Sequence, residues 1–224
     1  MRGNQLLDAL SRADAARVTA SAVQSHGSLR QTLFDRGDDA ASVWLPLVGT
    51  VISIVQVLDD GSVVEAGVVG DEGLVGIEYL FGRGRRVARA VVQNAGGMLK
   101  LGAGARDEFR RAQTFHDGVL LFASCLIEQI AQTAACNRRH DLSQRLARWL
   151  LGVSERTHVP EVRVTHEMLA AMLGTRRRAG ITVAMAQLAS RRVVTIGRGV
   201  IRIEDRAALE EAACECYATT RPLR

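Results

Sequence analysis

The hydrophobic pattern of this chain changes period once, near Arg106, and that change requires two kinds of structure in one molecule. Before it, from Val43 to Val92, the sequence is rich in Val and Ile and broken by Gly at short intervals, the mark of short strands joined by turns. The stretch "VISIVQVLDDGSVVEAGVV" holds two such runs around Asp59, Asp60 and Gly61, residues suited to a hairpin turn. A second hairpin is expected around "VVQNAGGMLKL". Several short strands with few helical stretches between them predict a small antiparallel barrel or sandwich.

Beyond Arg106 no proline interrupts the chain until Pro160. Val119, Ala123, Leu126, Ile130, Thr133 and Asn137 alternate four and three residues apart, the seam of a helix that pairs with another helix. Two readings are open: the seam meets a second subunit, or it packs on the β domain of its own chain. The first is preferred, because a long helix with an apolar seam leading into a basic domain is a common dimer device.

The next segment, "DLSQRLARWLL", sets Asp141 and Gln144 at capping-box spacing and Leu142, Leu146, Trp149 and Leu150 on one inward face. After Pro160, Thr165 is placed to cap a short helix carrying Leu169, Met172 and Leu173, ended by Gly174. Ile181, Ala184, Met185 and Leu188 then form the apolar face of a second helix. Two short helices across a glycine turn make a helix-turn-helix. "VVTIGRGVIRI" reads as a hairpin with Arg198 at its tip, a wing, and Asp205 starts a terminal helix running to "CECY".

Charge separates the same two regions. Residues 1–137 hold 13 basic and 15 acidic side chains, and residues 138–224 hold 16 and 9, so the regions carry −2 and +7. A basic domain appended to a near-neutral one points to nucleic acid ahead of an anionic membrane surface, and 224 residues suffice for two domains. The N-terminus lacks the apolar core of a signal peptide, and no later apolar run is expected to be long enough to span a bilayer; a cytoplasmic protein without membrane partners is expected. Phosphate-loop, His-Glu-x-x-His and G-x-S-x-G motifs are absent, so no enzyme is expected.

These features together resemble the cyclic-AMP receptor and fumarate-nitrate regulator (Crp/Fnr) family of bacterial transcription factors. The resemblance runs from about Asn4 to Tyr217. It is carried by "VWLPLVGTVISIVQVLDDGSVVEAGVVGDEGLVG", "IAQTAACNRRHDLSQRLARWLL", the "THEMLAAMLG" helix, the wing and "DRAALEEAACECY". It implies an α+β chain in two domains. Residues 1–137 would be a cyclic-nucleotide-binding-type β jelly roll ending in a dimerisation helix at about 106–137, and residues 138–224 a winged helix-turn-helix. The implied function is sequence-specific transcriptional regulation as a homodimer on an inverted-repeat site in double-stranded DNA, with RNA polymerase as a further partner. The alternative is a small-molecule or cyclic-nucleotide sensor that acts through protein contacts with a degraded helix-turn-helix.

Site residues follow by position. Thr165, Arg176, Arg177, Arg178, Thr182 and Arg198 are expected at DNA. The usual apolar anchor, six residues past the turn glycine, falls on Gly180, so Ile181 takes its place and Arg178 takes the base-reading position. Val119, Ala123, Leu126 and Ile130 are expected on the dimer helix.

The effector pocket departs from the family. Cyclic-AMP binders use a Gly-Glu and an Arg-Ser pair; here Gly76 is followed by Ile77, and the second pair falls on Val87 and Ala88. Val and Ala supply neither charge nor hydroxyl for a cyclic phosphate. A shift of one residue would bring in Glu78 with Arg86 or Arg89. The expectation is a degenerate pocket, with an unidentified effector or none, and no cofactor.

The iron–sulfur mechanism of oxygen-sensing relatives needs N-terminal cysteines, and the first cysteine here is Cys125. Cys125 and Cys136 are read as small apolar residues. Cys214 and Cys216 join a metal site only with ligands from elsewhere, so no metal is assigned.

Overall fold

The computed structural model describes residues 3–175 and 178–222, with the Arg178 side chain left aside. In chain order it has helices α1 (Gln5–Asp8) and α2 (Arg12–Thr19) and strands β1 (Val23–Gly27), β2 (Thr32–Phe34), β3 (Val43–Pro46), β4 (Val51–Val57) and β5 (Val63–Val69). A short 3-10 turn at Ile77–Tyr79 leads to β6 (Arg89–Asn94), β7 (Gly96–Leu101), α3 (Ala105–Arg111), α4 (Gln113–Arg139) and α5 (Leu142–Thr157). The chain closes with β8 (Glu161–Arg163), α6 (His166–Met172), α7 (Arg178–Ser190), β9 (Val194–Gly197), β10 (Val200–Ile203), α8 (Arg206–Ala212) and α9 (Cys216–Thr220). Two compact units result, one of residues 3–56 and 67–127, the other of residues 57–66 and 128–222.

In the first unit, sheets ordered β2-β6-β4-β5 and β1-β7-β3 share one core of Leu45, Ile52, Leu99, Leu101 and their neighbours. The expected β4–β5 hairpin forms: Gly61 sits at φ +78, and the Asp60 carboxylate accepts from the Ser62 amide at 3.0 Å. The second expected hairpin does not. Both of its strands exist, but β6 pairs with β2 and β4 while β7 pairs with β1 and β3. One residue, Ala95, separates them, too few for a hairpin loop, so the chain passes from one sheet to the other. Gly96 permits the crossing, since a Cβ there would lie 2.2 Å from Thr50 Oγ1. Strands that change sheets at a corner build a β sandwich of this kind.

The helix expected over 106–137 is two helices broken at Ala112, whose backbone is extended at φ −92, ψ 97. The break gives α4 its own start, which α2 caps from outside: the Asp14 carboxylate accepts from the Thr114 amide at 2.9 Å and its hydroxyl at 2.7 Å. Those two donors hold the Asp14 carboxyl below its usual range. Phe115, Val119, Phe122 and Leu126 of α4 enter the core of the β unit. Gly73 makes room for Phe122, because a Cβ there would meet the ring at 1.9 Å.

One expectation about α4 is overturned. An 18-residue window of it reaches a mean hydropathy of 1.5, so by length and composition this helix is long and apolar enough to cross a membrane. Its apolar content has a second cause, since one face supplies the core residues just named.

In the second unit, α5 opens with the expected capping box between Asp141 and Gln144 and buries Leu146, Trp149 and Leu150. Sheet β8-β10-β9 forms the wing. The terminal helix, expected to run unbroken, stops at Ala212; Ala213 is extended at ψ 159, and α9 restarts at Cys216.

Candidate nucleic-acid interface and effector site

The helix-turn-helix is assembled from local signals. Thr165 caps α6, its hydroxyl accepting from the Met168 amide at 3.2 Å. Leu169, Met172 and Leu173 are buried, and Gly174, at φ +57, turns the chain away as a left-handed cap does. The Thr175 amide donates back to the Ala170 carbonyl at 2.9 Å, and the Arg145 guanidinium donates to the Leu173 carbonyl.

Helix α7 begins at Arg178. Ile181, Ala184, Met185 and Leu188 are all buried, so Ile181 is the first apolar anchor of this helix. Gly180 just before it allows close packing on α5, where a Cβ would stand 3.0 Å from Leu142 Cδ2. Ala179, Thr182, Val183 and Ala186 are exposed on the opposite side, and Thr182 Oγ1 lies 3.5 Å from His166 Nδ1. Arg176 and Arg177 lie outside the described residues.

The wing hairpin pairs Val200 with Gly197 and Ile203 with Val194. Gly199, at φ +74, completes the tip and leaves Arg198 exposed. Arg163, opposite Val200 on the neighbouring strand, is exposed as well. Helix start, small exposed residues and a cationic wing tip together offer what a major groove and its flanking phosphates require.

The position where the sequence resemblance expects an effector is filled by the chain's own residues. Gly76, at φ +87, opens the 3-10 turn carrying Ile77 and Glu78. Arg86 meets Glu78 at 3.0 Å, with side chains 3% and 10% exposed. Its other amino group donates to the Ser42 carbonyl at 2.7 Å, and the guanidinium lies 4.1 Å from the Phe34 ring centroid. A Cβ at Gly76 would strike Arg86 Nη1 at 2.4 Å. The shifted register thus brings the right residue types together, and they neutralise one another.

Arg89 is engaged too, donating to Asp35 at 3.0 and 2.5 Å, a bond that holds the Asp35 carboxyl below its usual range. Val87 is exposed and Ala88 buried.

Of the residues expected on the dimer face of α4, Val119 and Leu126 belong to the chain's own core, while Ala123 is half-buried and Ile130 exposed. That corrects the choice of face. The large apolar side chains left to solvent on α4 are Leu120, Leu121, Ile127 and Ile130, and Ile127 is 68% exposed. Sequence spacing found the stripe that meets the β unit, because both stripes obey the same helical period.

The chain runs in order through a β sandwich, a long helix and a winged helix-turn-helix. Residues 144–212 match the family model described as the Crp-like helix-turn-helix domain. The chain has the fold of a CRP-family transcriptional regulator from Thermus thermophilus, with a TM-score of 0.71 at 20% identity over 84% of this chain and 96% of that one. FixK2 from Bradyrhizobium japonicum gives 0.71 at 14% identity over 86% and 98%. The c-di-GMP-responsive regulator CLP of Xanthomonas campestris gives 0.69 at 16% over 86% and 99%. No curated protein matches the chain significantly. The winged segment is thus similar to the Crp-like helix-turn-helix domain, and the chain shares the fold of these regulators.

Proposed function

We propose that this protein is a sequence-specific, DNA-binding transcriptional regulator that acts as a homodimer on an inverted-repeat site. Its functional division would fall at 137/138, between an effector-type domain with its dimerisation helix and the winged domain. The observation that carries the reading is the buried Ile181 anchor seven residues past Gly174. In sequence the run Arg176–Arg178 comes just before that anchor, and the helix that follows exposes Ala179, Thr182, Val183 and Ala186, which supports a helix start that faces DNA. Arg178 reads a base, Arg176 and Arg177 hold phosphates, Thr165 and Thr182 contact the backbone and groove edge, and Arg198 contacts the adjacent phosphate. The Arg fork matches the O6 and N7 acceptors of guanine, which supports a guanine in each half-site.

Cyclic AMP is not the controlling ligand in this reading. The Glu78–Arg86 pair supports that, because the one buried guanidinium of the pocket is already matched by a carboxylate. An effector, if the protein has one, is of different chemistry.

Binding to duplex DNA measured across a salt series tests the proposal. A DNA regulator loses affinity steeply as salt rises, and selection from randomised duplexes then returns a two-fold symmetric site. Salt-independent or undetectable binding overturns it in favour of a sensor that works through protein contacts.

A further inference from the structure

Four side chains meet inside the second unit that the DNA reading leaves unused. Cys136 and His140 lie one helical turn apart at the end of α4, and the His140 amide still bonds to the Cys136 carbonyl at 3.1 Å. Cys214 sits in the break between α8 and α9, and Cys216 opens α9. Cys136 Sγ is 3.5 Å from Cys214 Sγ, and Cys216 Sγ is 3.5 Å from His140 Nδ1. All four ligand atoms lie within 4.8 Å of one another. We propose that Cys136, Cys214, Cys216 and His140 form a closed, tetrahedral zinc site, which replaces the sequence reading that assigned no metal.

Geometry and surroundings both fit. Zn–S bonds of about 2.3 Å in a tetrahedron hold sulfurs about 3.8 Å apart, close to the separation seen between Cys136 and Cys214. The three thiols are 0%, 3% and 1% exposed, and the His140 side chain is 12% exposed, so no coordination position opens to solvent. A closed Cys₃His set is the donor pattern of a structural zinc.

The outer contacts point the same way. Glu215 Oε1 lies 3.1 Å from His140 Nε2, which directs the proton to that nitrogen and leaves the Nδ1 lone pair facing the sulfurs, the carboxylate–histidine arrangement of metal sites. Gln132 Nε2 donates to Cys216 Sγ at 2.9 Å, a contact suited to an anionic sulfur. Three thiolates, one neutral imidazole and Zn²⁺ would leave a charge of −1. Simple burial of cysteines as apolar residues calls for none of these partners.

Binding releases the remaining thiol protons to solvent and involves no change of oxidation state. The metal would tie the end of the long helix to the C-terminal segment 76 residues away. The broken terminal helix then has a cause, since the extended Ala213 turns Cys214 and Cys216 back toward α4.

The test uses the untagged full chain, purified under reducing conditions without chelator. Elemental analysis is expected to give one zinc per chain, and Co²⁺ exchanged into the protein should show the intense visible absorption of tetrahedral thiolate coordination. Cys216→Ser should abolish that absorption, His140→Cys should retain metal as a Cys₄ site, and Cys125→Ser should be unchanged. A strong chelator should lower the melting temperature of the wild-type protein. Substoichiometric zinc that is not taken up on addition overturns the proposal, as does an intact mass showing a Cys136–Cys214 disulfide in the native protein. If Cys216→Ser does not fold, metal content and the cobalt spectrum of the wild type decide alone.

Discussion

Arg86 donates to Glu78 at 3.0 Å in the interior of the β unit, and that bond decides what the effector position can do. An ion pair this well buried is costly to break from one side, about 3–5 kcal/mol, because the surviving charge keeps no partner. Glu78→Ala should therefore lower the unfolding free energy by about 3 kcal/mol in urea titration. Calorimetry should detect no cyclic-AMP binding to the wild-type protein at micromolar concentration. Tight saturable binding would show that the pair opens for a ligand.

The exposed stripe on α4 predicts the mutations that dissociate a dimer. Ile127→Glu, alone or with Leu121→Glu, should shift sedimentation from dimer to monomer while the chain stays folded, since both side chains are mostly exposed, at 68% and 62%. Val119→Glu should instead prevent folding, because a charge would enter a core position of 0% exposure. A dimer that survives both substitutions would place the interface elsewhere.

At the DNA face, Arg178→Ala should relax sequence preference at one base pair per half-site, a loss of about 1–3 kcal/mol of discrimination. Arg198→Ala should weaken all sequences alike and lower the salt slope by about 1. Binding selections with randomised half-sites separate the two. A preference that survives Arg178→Ala and fails in Arg177→Ala would move the register by one residue.

The second unit also holds a buried carboxylate, Glu155, which receives Arg206 at 2.8 Å, Arg221 at 3.2 Å and the Tyr217 hydroxyl at 2.8 Å. Burial first, and the Glu155 charge and hydrogen bond after it, push the Tyr217 phenol up from 10.0 to about 12. Between those values the folded chain keeps a proton that the unfolded chain has lost. Stability from this group is therefore complete below pH 10 and falls as pH rises from 10 toward 12. Urea midpoints across that interval should decline, and Tyr217→Phe should remove that part of the decline. An unshifted phenol in an ultraviolet titration would contradict it.

Much of this architecture was legible because it is written in local chemistry. Thr165, Asp141 with Gln144, Gly174 and the apolar spacing of Ile181, Ala184, Met185 and Leu188 act within a few residues of themselves, so helix starts, the turn and the inward faces could be read from order alone. So could the β4–β5 turn at Asp59–Gly61. The sequence by itself thus determined the kind of elements, their order and the family they resemble. Which elements meet was decided only in three dimensions. Strands β6 and β7 are adjacent in sequence yet belong to different sheets, because a one-residue loop cannot close a hairpin and distant strands supply each with partners. The apolar stripe of Val119 and Leu126 could not be assigned to core or partner until Gly73 opened a place for Phe122 beside it. Glu78 and Arg86 stood in the sequence only as a shifted-register alternative until the fold brought them against each other and Ser42. Cys136 and His140 had the spacing of one helix face in plain view, but their significance depended on Cys214 and Cys216 arriving from the far end of the chain. Side chains that act on neighbours in sequence declare themselves there, and side chains that act across loop closures do not, because the closing contact belongs to no single segment.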